Sequence, residues 1–249
     1  MRWIYLSPHL DDAILSCGGL LAQQSKEGIT VEIWNLMGGI PPIDAPLSDL
    51  ASSVQADWGT DTAKETLIMR LSEDRLAAER IGAIPRYFDF LDCIYRHDID
   101  GAPLYTEDIF AADKIVPLHT ADDGLITQIT SLLQKKLLDD DILICPLGIG
   151  NHPDHLVVRQ AAERINRPLR YYADIPYALL EYSEQLAEMT DKFSAGQYPI
   201  SEDDLSLWQE AISAYASQLP VLFGGEEMMK DAIKHYRQAN RGIQLWGMG

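Results

Sequence analysis

The sequence predicts an α/β fold, a single domain in which helices flank a mainly parallel sheet. Predicted strands and helices alternate along the 249 residues, a pattern that favours a sheet with right-handed crossover connections. The segment 141–147 is apolar on both faces, as is typical of a strand inside a parallel sheet. Apolar residues make up 47% of the chain, which is enough for a substantial core and argues against disorder.

The elements follow in order from hydrophobic periodicity and from stop signals such as glycine. Strands are predicted at 2–6, 30–36, 87–91, 141–147 and 169–175. Helices are predicted at 12–27, 62–81, 122–138, 154–165, 202–218 and 226–238. A loop rich in Pro, Ser and Asp runs from 38 to about 59, and a loop of this length in a compact domain is more often functional than idle.

No linker or internal repeat divides the chain, so we expect one domain over 1–249. Residues 93–120 show no sustained period and are interpreted as an insertion. From about 202 onward the pattern predicts a mainly helical C-terminal tail.

The composition restricts the partners. Lys and Arg total 20 against 38 Asp and Glu, a formal net charge of −18, and a surface this acidic repels phosphate backbones and anionic lipids. We therefore expect a small-molecule substrate, no nucleic acid and no membrane insertion, while the oligomeric state stays open. Three widely spaced cysteines are typical of a reducing compartment, and the first apolar run is too short for a signal peptide, so we expect a cytoplasmic protein.

Two motifs, each directly after a predicted strand, carry the candidate chemistry. They are Ser-Pro-His-Leu-Asp-Asp at 7–12 and Asn-His-Pro-Asp-His at 151–155. Because ligands bind at the carboxyl ends of strands in open α/β sheets, we expect the motifs to meet. His9, Asp12 and His155 would then offer two imidazoles and a carboxylate to one metal with an open position, as in catalytic zinc sites. Non-haem iron oxygenases use the same ligand types.

Asp11 and His152 are left beside this ligand set as a base and an acid, and metal-assisted hydrolysis requires such a pair. The structural alternative is that Asp11 and Asp12 cap a helix and that Asp154 caps another after a surface turn. Each motif alone is compatible with that alternative. Three histidines at strand-to-helix turns with flanking aspartates favour the metal site.

The motifs resemble those of the LmbE-like, or PIG-L, deacetylase family. His9-Leu10-Asp11-Asp12 is similar to the family's His-Pro-Asp-Asp signature, and 152–155 matches its second motif without change. Arg70 and Glu73, ahead of Ile81-Gly82, resemble its Arg-x-x-Glu…Leu-Gly helix, and 215–218 resembles its C-terminal Tyr/His-x-Ser-Gln. The chain departs from the family at Leu10, where Pro is usual, and at Ala13, where Glu is usual.

The resemblance implies a Rossmann-like fold, a divalent metal that is usually zinc, and removal of N-acetyl groups from N-acetylglucosaminyl compounds and related amides. Carried over by residue, it implies that His9, Asp12 and His155 hold the metal, zinc first and Fe²⁺ as the alternative. The other implied roles are a general base for Asp11, an electrophilic or acid partner for His152, an orienting contact to His152 for Asp154 and a sugar contact for Arg70.

Asp92 follows a predicted strand on the same side, where it would accept a sugar hydroxyl or simply cap a turn. The function expected from all of these residues is removal of an N-acetyl group from an amino-sugar compound by metal-activated water. An amidase that cleaves a larger amide conjugate would use the same residues. A non-haem iron oxygenase and a non-catalytic Rossmann-like binding protein are the alternatives from other classes.

Overall fold

The computed structural model describes residues 1–107, 109, 116–179 and 183–247. The strands found there are β1 (Arg2–Ser7), β2 (Thr30–Asn35), β3 (Ile84–Tyr87), β4 (Ile142–Pro146), β5 (Leu169–Tyr172), β6 (Ser194–Tyr198) and β7 (Ile243–Gly247). The helices are α1 (Asp12–Lys26), α2 (Asp49–Asp57), α3 (Ala63–Ile81), α4 (Asp122–Lys136), α5 (Pro153–Glu163), α6 (Ser183–Thr190), α7 (Glu202–Ile212), α8 (Leu219–Phe223) and α9 (Glu226–Ala239). None of these helices is both long and apolar enough to span a bilayer.

One sheet joins the described strands in the order β3-β2-β1-β4-β5-β7-β6. The first five are parallel in the order of a Rossmann-like sheet, and β7 pairs antiparallel with both β5 and β6. In register, Tyr5 of β1 lies between Ile33 of β2 and Ile144 of β4. The predicted class is therefore confirmed as a single α/β domain whose mainly parallel sheet is flanked by helices.

The core lies on both faces of the sheet because side chains alternate along each strand. Tyr5 packs with α1, α3, α7 and α9 on one face, while Ile4 and Leu6 pack with α4 and α5 on the other. Trp208 of α7 is fully buried against α1 and donates from Nε1 to the carbonyl of Ile14 at 2.8 Å. Gly18 makes this approach possible, since a Cβ there would lie 2.3 Å from Cδ1 of Trp208.

The prediction of a third strand at 87–91 is wrong in its bounds, because β3 is Ile84–Tyr87. After Tyr87 the chain leaves the strand and pairs irregularly with the loop after β2. Gly38 donates to the Phe88 carbonyl at 3.0 Å, and Gly39 donates to that of Phe90 at 2.9 Å. The apolar residues Phe88, Phe90 and Leu91 are partly buried against the core, but they do not form a strand.

The helix predicted at 202–218 ends at Ile212. Residues 215–218 form a turn that is bonded to α3 instead. Glu73 accepts hydrogen bonds from the backbone N–H and the hydroxyl of Ser217, at 2.8 and 2.7 Å, and Tyr215 donates to Asp74 at 2.9 Å. These side-chain bonds replace the helical ones. The two sequence segments that resembled the family's other motifs are thus partners in the fold.

Other differences concern elements that the sequence did not predict. The loop 38–59 contains α2, and the tail contains α8 and β7 besides the expected α9, while α6 and β6 precede it. Within the predicted insertion, Cys93–Tyr95 form a 3₁₀ turn. The positions 108 and 110–115 of that insertion lie outside the described residues.

Candidate active site

The two motifs meet at the carboxyl edge of the sheet, where the strand order reverses between β1 and β4. The turn 8–11 joins β1 to α1, and the turn 147–152 joins β4 to α5. Because β1 and β4 are parallel neighbours, both turns face one cleft, at the position where doubly wound sheets bind ligands. Its lining includes the predicted residues His9, Asp11, Asp12, Arg70, Asp92, His152 and His155, together with Leu15, Trp58, Ile94, Pro176, Tyr177, Gln218 and Leu222.

His9 and His155 both contact the carboxylate of Asp12. Nδ1 of His9 lies 3.1 Å from Oδ2 of Asp12, and Nε2 of His155 lies 3.3 Å from Oδ1. His9, His152 and His155 also each offer a ring nitrogen, and these nitrogens lie within 4.8 Å of one another. Tetrahedral zinc with bonds of ~2.0–2.1 Å places ligand atoms ~3.3 Å apart. The donor types and spacing therefore fit a divalent metal.

Asp154 is fully buried and contacts His9 of the first motif and His152 of the second. Its Oδ2 lies 3.0 Å from Nε2 of His9 and accepts from the backbone N–H of Cys93 at 2.9 Å, while Oδ1 pairs with Arg96. The backbone N–H of Asp154 donates to Nδ1 of His152 at 3.2 Å. His152 is thus the residue that caps α5.

Asp174 is a site residue that the sequence analysis missed. Its Oδ1 lies 2.6 Å from Nδ1 of His155, and its Oδ2 accepts from the backbone N–H groups of Gly148 and Ile149 at 2.7 and 2.9 Å. The carboxylate thus fixes both the ring of His155 and the loop after β4. The signal that could have found it is its position two residues after the last residue of β5, at the same edge of the sheet, although the strand predicted at 169–175 had included it.

Asp11 faces the cleft beside the ligand set and pairs with Arg70. Nη2 of Arg70 lies 3.1 Å from Oδ2 of Asp11, and the Arg70 guanidinium lies 4.7 Å from the centre of the Trp58 ring. The Asp11 side chain makes no capping bond to α1, so capping does not account for it. Leu10 and Ala13, the two departures from the family motif, are both buried.

The electrostatics favour positive charge among the imidazoles. Burial opposes charge on His155, but Asp12 and Asp174 raise its pKa to about 10. His9 is also buried, yet Asp12 and Asp154 raise its pKa well above the ordinary value. Against its own burial, Asp12 has a pKa held well below its ordinary range by His155 and His9. Carboxylates placed this way favour a cation at their centre.

The pKa of Asp11 shifts in the direction opposite to that of Asp12, and the pKa of His152 shifts in the direction opposite to those of His9 and His155. Burial raises the pKa of the Asp11 carboxyl above its ordinary value, with Asp12 adding to the effect and Arg70 opposing it. Burial, together with the charges of His9 and His155, lowers the pKa of His152 well below its ordinary value. This shift of the pKa favours the neutral form of His152, whereas the sequence analysis assigned it the role of an acid. Since Nδ1 accepts a bond from Asp154, its proton lies on Nε2.

Comparison with known proteins identifies the class to which this fold and site belong. The family model described as PIG-L: GlcNAc-PI de-N-acetylase matches residues 4–166, nearly two thirds of the chain. The match includes most of β1, all of β4 and both motifs. The chain belongs to the PIG-L family of de-N-acetylases, and the resemblance noted in the sequence is confirmed.

Two curated relatives carry the same name. A 2′-N-acetylparomamine deacetylase of Niallia circulans is 29% identical over 189 residues, which cover 70% of this chain and 67% of the relative. A 2′-N-acetylparomamine deacetylase of Streptomyces fradiae is 24% identical over 251 residues, with 95% of this chain and 78% of the relative covered. Both relatives are thus deacetylases by name.

Solved structures agree with this relationship. A zinc-inhibited form of the teicoplanin deacetylase Orf2 superposes with a TM-score of 0.84 at 29% identity, covering 99% of this chain and 97% of that one. The pseudoaglycone deacetylase Dbv21 gives a TM-score of 0.74 at 30% identity, with coverages of 99% and 96%. The N,N′-diacetylchitobiose deacetylase of Pyrococcus horikoshii, at 15% identity and a TM-score of 0.56, shares the fold, with coverages of 100% and 82%.

Proposed function

We propose that this chain is a zinc-dependent hydrolase that removes the N-acetyl group from an N-acetylglucosaminyl-type amino-sugar compound. One observation carries the proposal: His9 and His155 present ring nitrogens to the two oxygens of Asp12, with Asp11 beside them in the same cleft. Membership of a de-N-acetylase family supports it, as do relatives named as 2′-N-acetylparomamine deacetylase and teicoplanin deacetylase. In this proposal the domain spans 1–249, with 93–120 as an insertion and the tail from about 202.

His9, Asp12 and His155 would hold the metal. A divalent ion in such a site supplies polarisation of a carbonyl oxygen and lowers the pKa of water toward neutrality. Two imidazoles and one carboxylate suit zinc or Fe²⁺. We favour zinc because two imidazoles and one carboxylate that leave a position open are the pattern of catalytic zinc sites, and we keep Fe²⁺ as the alternative.

Asp11 is proposed as the general base that takes the proton from the attacking water. A base works best when its pKa is near the operating pH, and burial shifts the pKa of Asp11 in that direction. Arg70 holds the carboxylate by one oxygen at 3.1 Å, so the ion pair orients Asp11. Arg70 and Asp92 both line the cleft. Arg70 is proposed to contact the sugar while it stays paired with Asp11, and Asp92 is proposed to accept a sugar hydroxyl.

His152 is proposed to stabilise the oxyanion formed from the acetyl carbonyl. As a neutral ring it donates from Nε2, and a single such donor contributes about 3–4 kcal/mol to acyl-transfer transition states. Asp154 orients the ring through its backbone N–H at 3.2 Å. The proton that Asp11 has accepted then passes to the leaving amine, which balances the reaction with acetate and a free amine as products.

The test is product analysis with the zinc-loaded protein. The substrates are 2′-N-acetylparomamine and an N-acetylglucosaminyl glycopeptide, and the readouts are released acetate and the mass of the free amine. We expect acetate, loss of activity on chelation and recovery with zinc. A larger carboxylic acid from an acylated analogue, with no acetate, would indicate the amidase. Turnover that requires O₂ would indicate the oxygenase, and no turnover with a metal-loaded protein would contradict an enzymatic role.

A further inference from the structure

Arg96 is buried in the segment that the sequence marks as an insertion, and the chemistry proposed above does not use it. The residue follows the 3₁₀ turn Cys93–Tyr95, and its side chain is 8% exposed. Nη1 pairs with the Asp154 carboxylate and also donates to the carbonyl of Leu91 at 3.2 Å. A guanidinium buried this deeply is stable only when its partners are fixed.

The other edge of the guanidinium contacts a second carboxylate. Nη2 of Arg96 lies 3.1 Å from Oδ2 of Asp122, the first residue of α4, and Nε lies 3.0 Å from Oδ1. The Tyr105 hydroxyl donates to Oδ2 of Asp122 at 2.6 Å and accepts from the backbone N–H of His119 at 3.0 Å. Arg96 thus joins α4, the segment around Tyr105 and the active-site carboxylate of Asp154.

The position of Asp154 matters because its Oδ2 contacts His9. With Oδ1 held by Arg96, and Oδ2 held by the N–H of Cys93 at 2.9 Å, the carboxylate has one orientation in which Oδ2 lies 3.0 Å from Nε2 of His9. A proton on Nε2 leaves Nδ1 of His9 directed at Asp12. Partners of this kind set both the tautomer and the orientation of a ligating histidine.

We propose that Arg96 is a positioning residue: by fixing Asp154 it holds His9 with Nδ1 facing the metal position. The proposal rests on the metal site of the proposed function. It assigns the segment around 93–105 a role in metal affinity, although no side chain of that segment belongs to the ligand set. Lysine would retain the charge at this site but would not bridge two carboxylates, because only guanidinium has the planar fork.

Zinc affinity, measured by competition with a chromophoric chelator, tests the proposal without any substrate. We expect the dissociation constant for zinc to rise about 10-fold in Arg96→Lys and up to about 100-fold in Arg96→Met, the range found for contacts that orient metal ligands. Arg164→Met is the matched control. Arg164 lies just after α5, is 44% exposed and is 3.6 Å from Asp123, so its loss should leave zinc affinity unchanged.

A spectroscopic readout separates positioning from general stability. In zinc-loaded protein with isotope-labelled histidine, the Nε2 proton of His9 should be slow to exchange in the wild type and in Arg164→Met. It should exchange rapidly in Arg96→Lys. Tyr105→Phe provides a milder variant, since it removes one bond to Asp122, and we expect a smaller loss of zinc affinity in the same direction.

Each outcome decides one proposal. Wild-type zinc affinity together with a protected His9 proton in Arg96→Lys would overturn the positioning role, even if thermal stability fell. Should Arg96→Met fail to fold, Arg96→Lys and Tyr105→Phe carry the test. If the wild-type protein binds zinc no better than His155→Ala, the proposed metal site is wrong, and that result is distinct from a failure of Arg96.

Discussion

Nδ1 of His155 lies 2.6 Å from Oδ1 of Asp174, so a carboxylate just beyond β5 fixes the ring of a proposed metal ligand on α5. The same carboxylate accepts the backbone N–H groups of Gly148 and Ile149. One buried side chain therefore links the loop after β4, the ligand on α5 and the end of β5. Asp174 is therefore the first residue to substitute in a test of the site.

Asp174→Asn should weaken zinc binding about 10- to 100-fold, because a neutral amide stabilises the His155 N–H less well and contacts of this kind tune ligand affinity. Chelator competition measures the effect. Asp203→Asn, an exposed change in the first turn of α7, controls for the loss of one carboxylate. Equal zinc affinity in Asp174→Asn and the wild type would show that this bond has only a structural role.

Asp11→Asn and His155→Ala should separate turnover from metal binding. Asp11→Asn removes the proposed base while His9, Asp12 and His155 remain, so we expect near-wild-type zinc content and a kcat lowered by roughly 10²–10⁴, the usual contribution of a general base. His155→Ala should lose the metal itself. Metal analysis and acetate release measure the two effects. A kcat for Asp11→Asn close to that of the wild type would remove Asp11 from the mechanism.

Asp74 gives the fold a defined pH dependence. It is buried, accepts bonds from Asn35, Tyr87 and Tyr215, and burial raises its pKa from 3.8 to about 6. The folded chain therefore binds this proton more tightly than the unfolded chain does. The resulting stabilisation is complete below about pH 4 and is lost as the pH rises through about 6.

A pKa shift of about two units corresponds to roughly 3 kcal/mol, and denaturant unfolding at several pH values measures it. We expect the free energy of unfolding of the wild type, relative to Asp74→Asn, to fall by an amount of this order between pH 4 and pH 7. Asp57→Asn, at the exposed end of α2, is the control. A difference between wild type and Asp74→Asn that does not change with pH would contradict this account.

Gly18→Ala tests the contact between α1 and α7. A Cβ at Gly18 would lie 2.3 Å from Cδ1 of the buried Trp208. Overpacking of this kind costs about 1–3 kcal/mol, and the helix propensity of alanine returns about 1 kcal/mol, so we expect a net loss of up to about 2 kcal/mol. Gly124→Ala in α4, where a Cβ meets nothing within 4 Å, should instead be neutral or stabilising. Thermal unfolding of both variants gives the comparison.

The sequence could predict the parts of the site that lie on strand ends. β1 and β4 are apolar runs followed by polar motifs, and the rule that parallel strands place their carboxyl ends at one edge was enough to bring His9 and His155 together. The family resemblance added roles to those residues. Periodicity also located most helices to within a few residues, because an apolar stripe and a glycine stop are local signals.

The rest depends on pairings between distant segments, which no local pattern records. Asp174 and Arg96 act through other residues, so neither has a motif of its own. The turn at 215–218 is helical by composition but is held open by Glu73 and Asp74 of α3. Similarly, the apolar residues after Tyr87 pair with Gly38 and Gly39 in an irregular loop. The sequence indicated that these segments contact the core, but it did not indicate which residues they bond to.

The proposed ligand set is divided between two turns that become neighbours only when β1 and β4 pair. A nascent chain that has emerged only through α4 carries His9 and Asp12 but lacks the third proposed ligand, because His155 lies in α5. Tight binding of the ion therefore requires β1 and β4 to be paired and α5 to be in place, and metal uptake should follow that pairing rather than guide the beginning of folding.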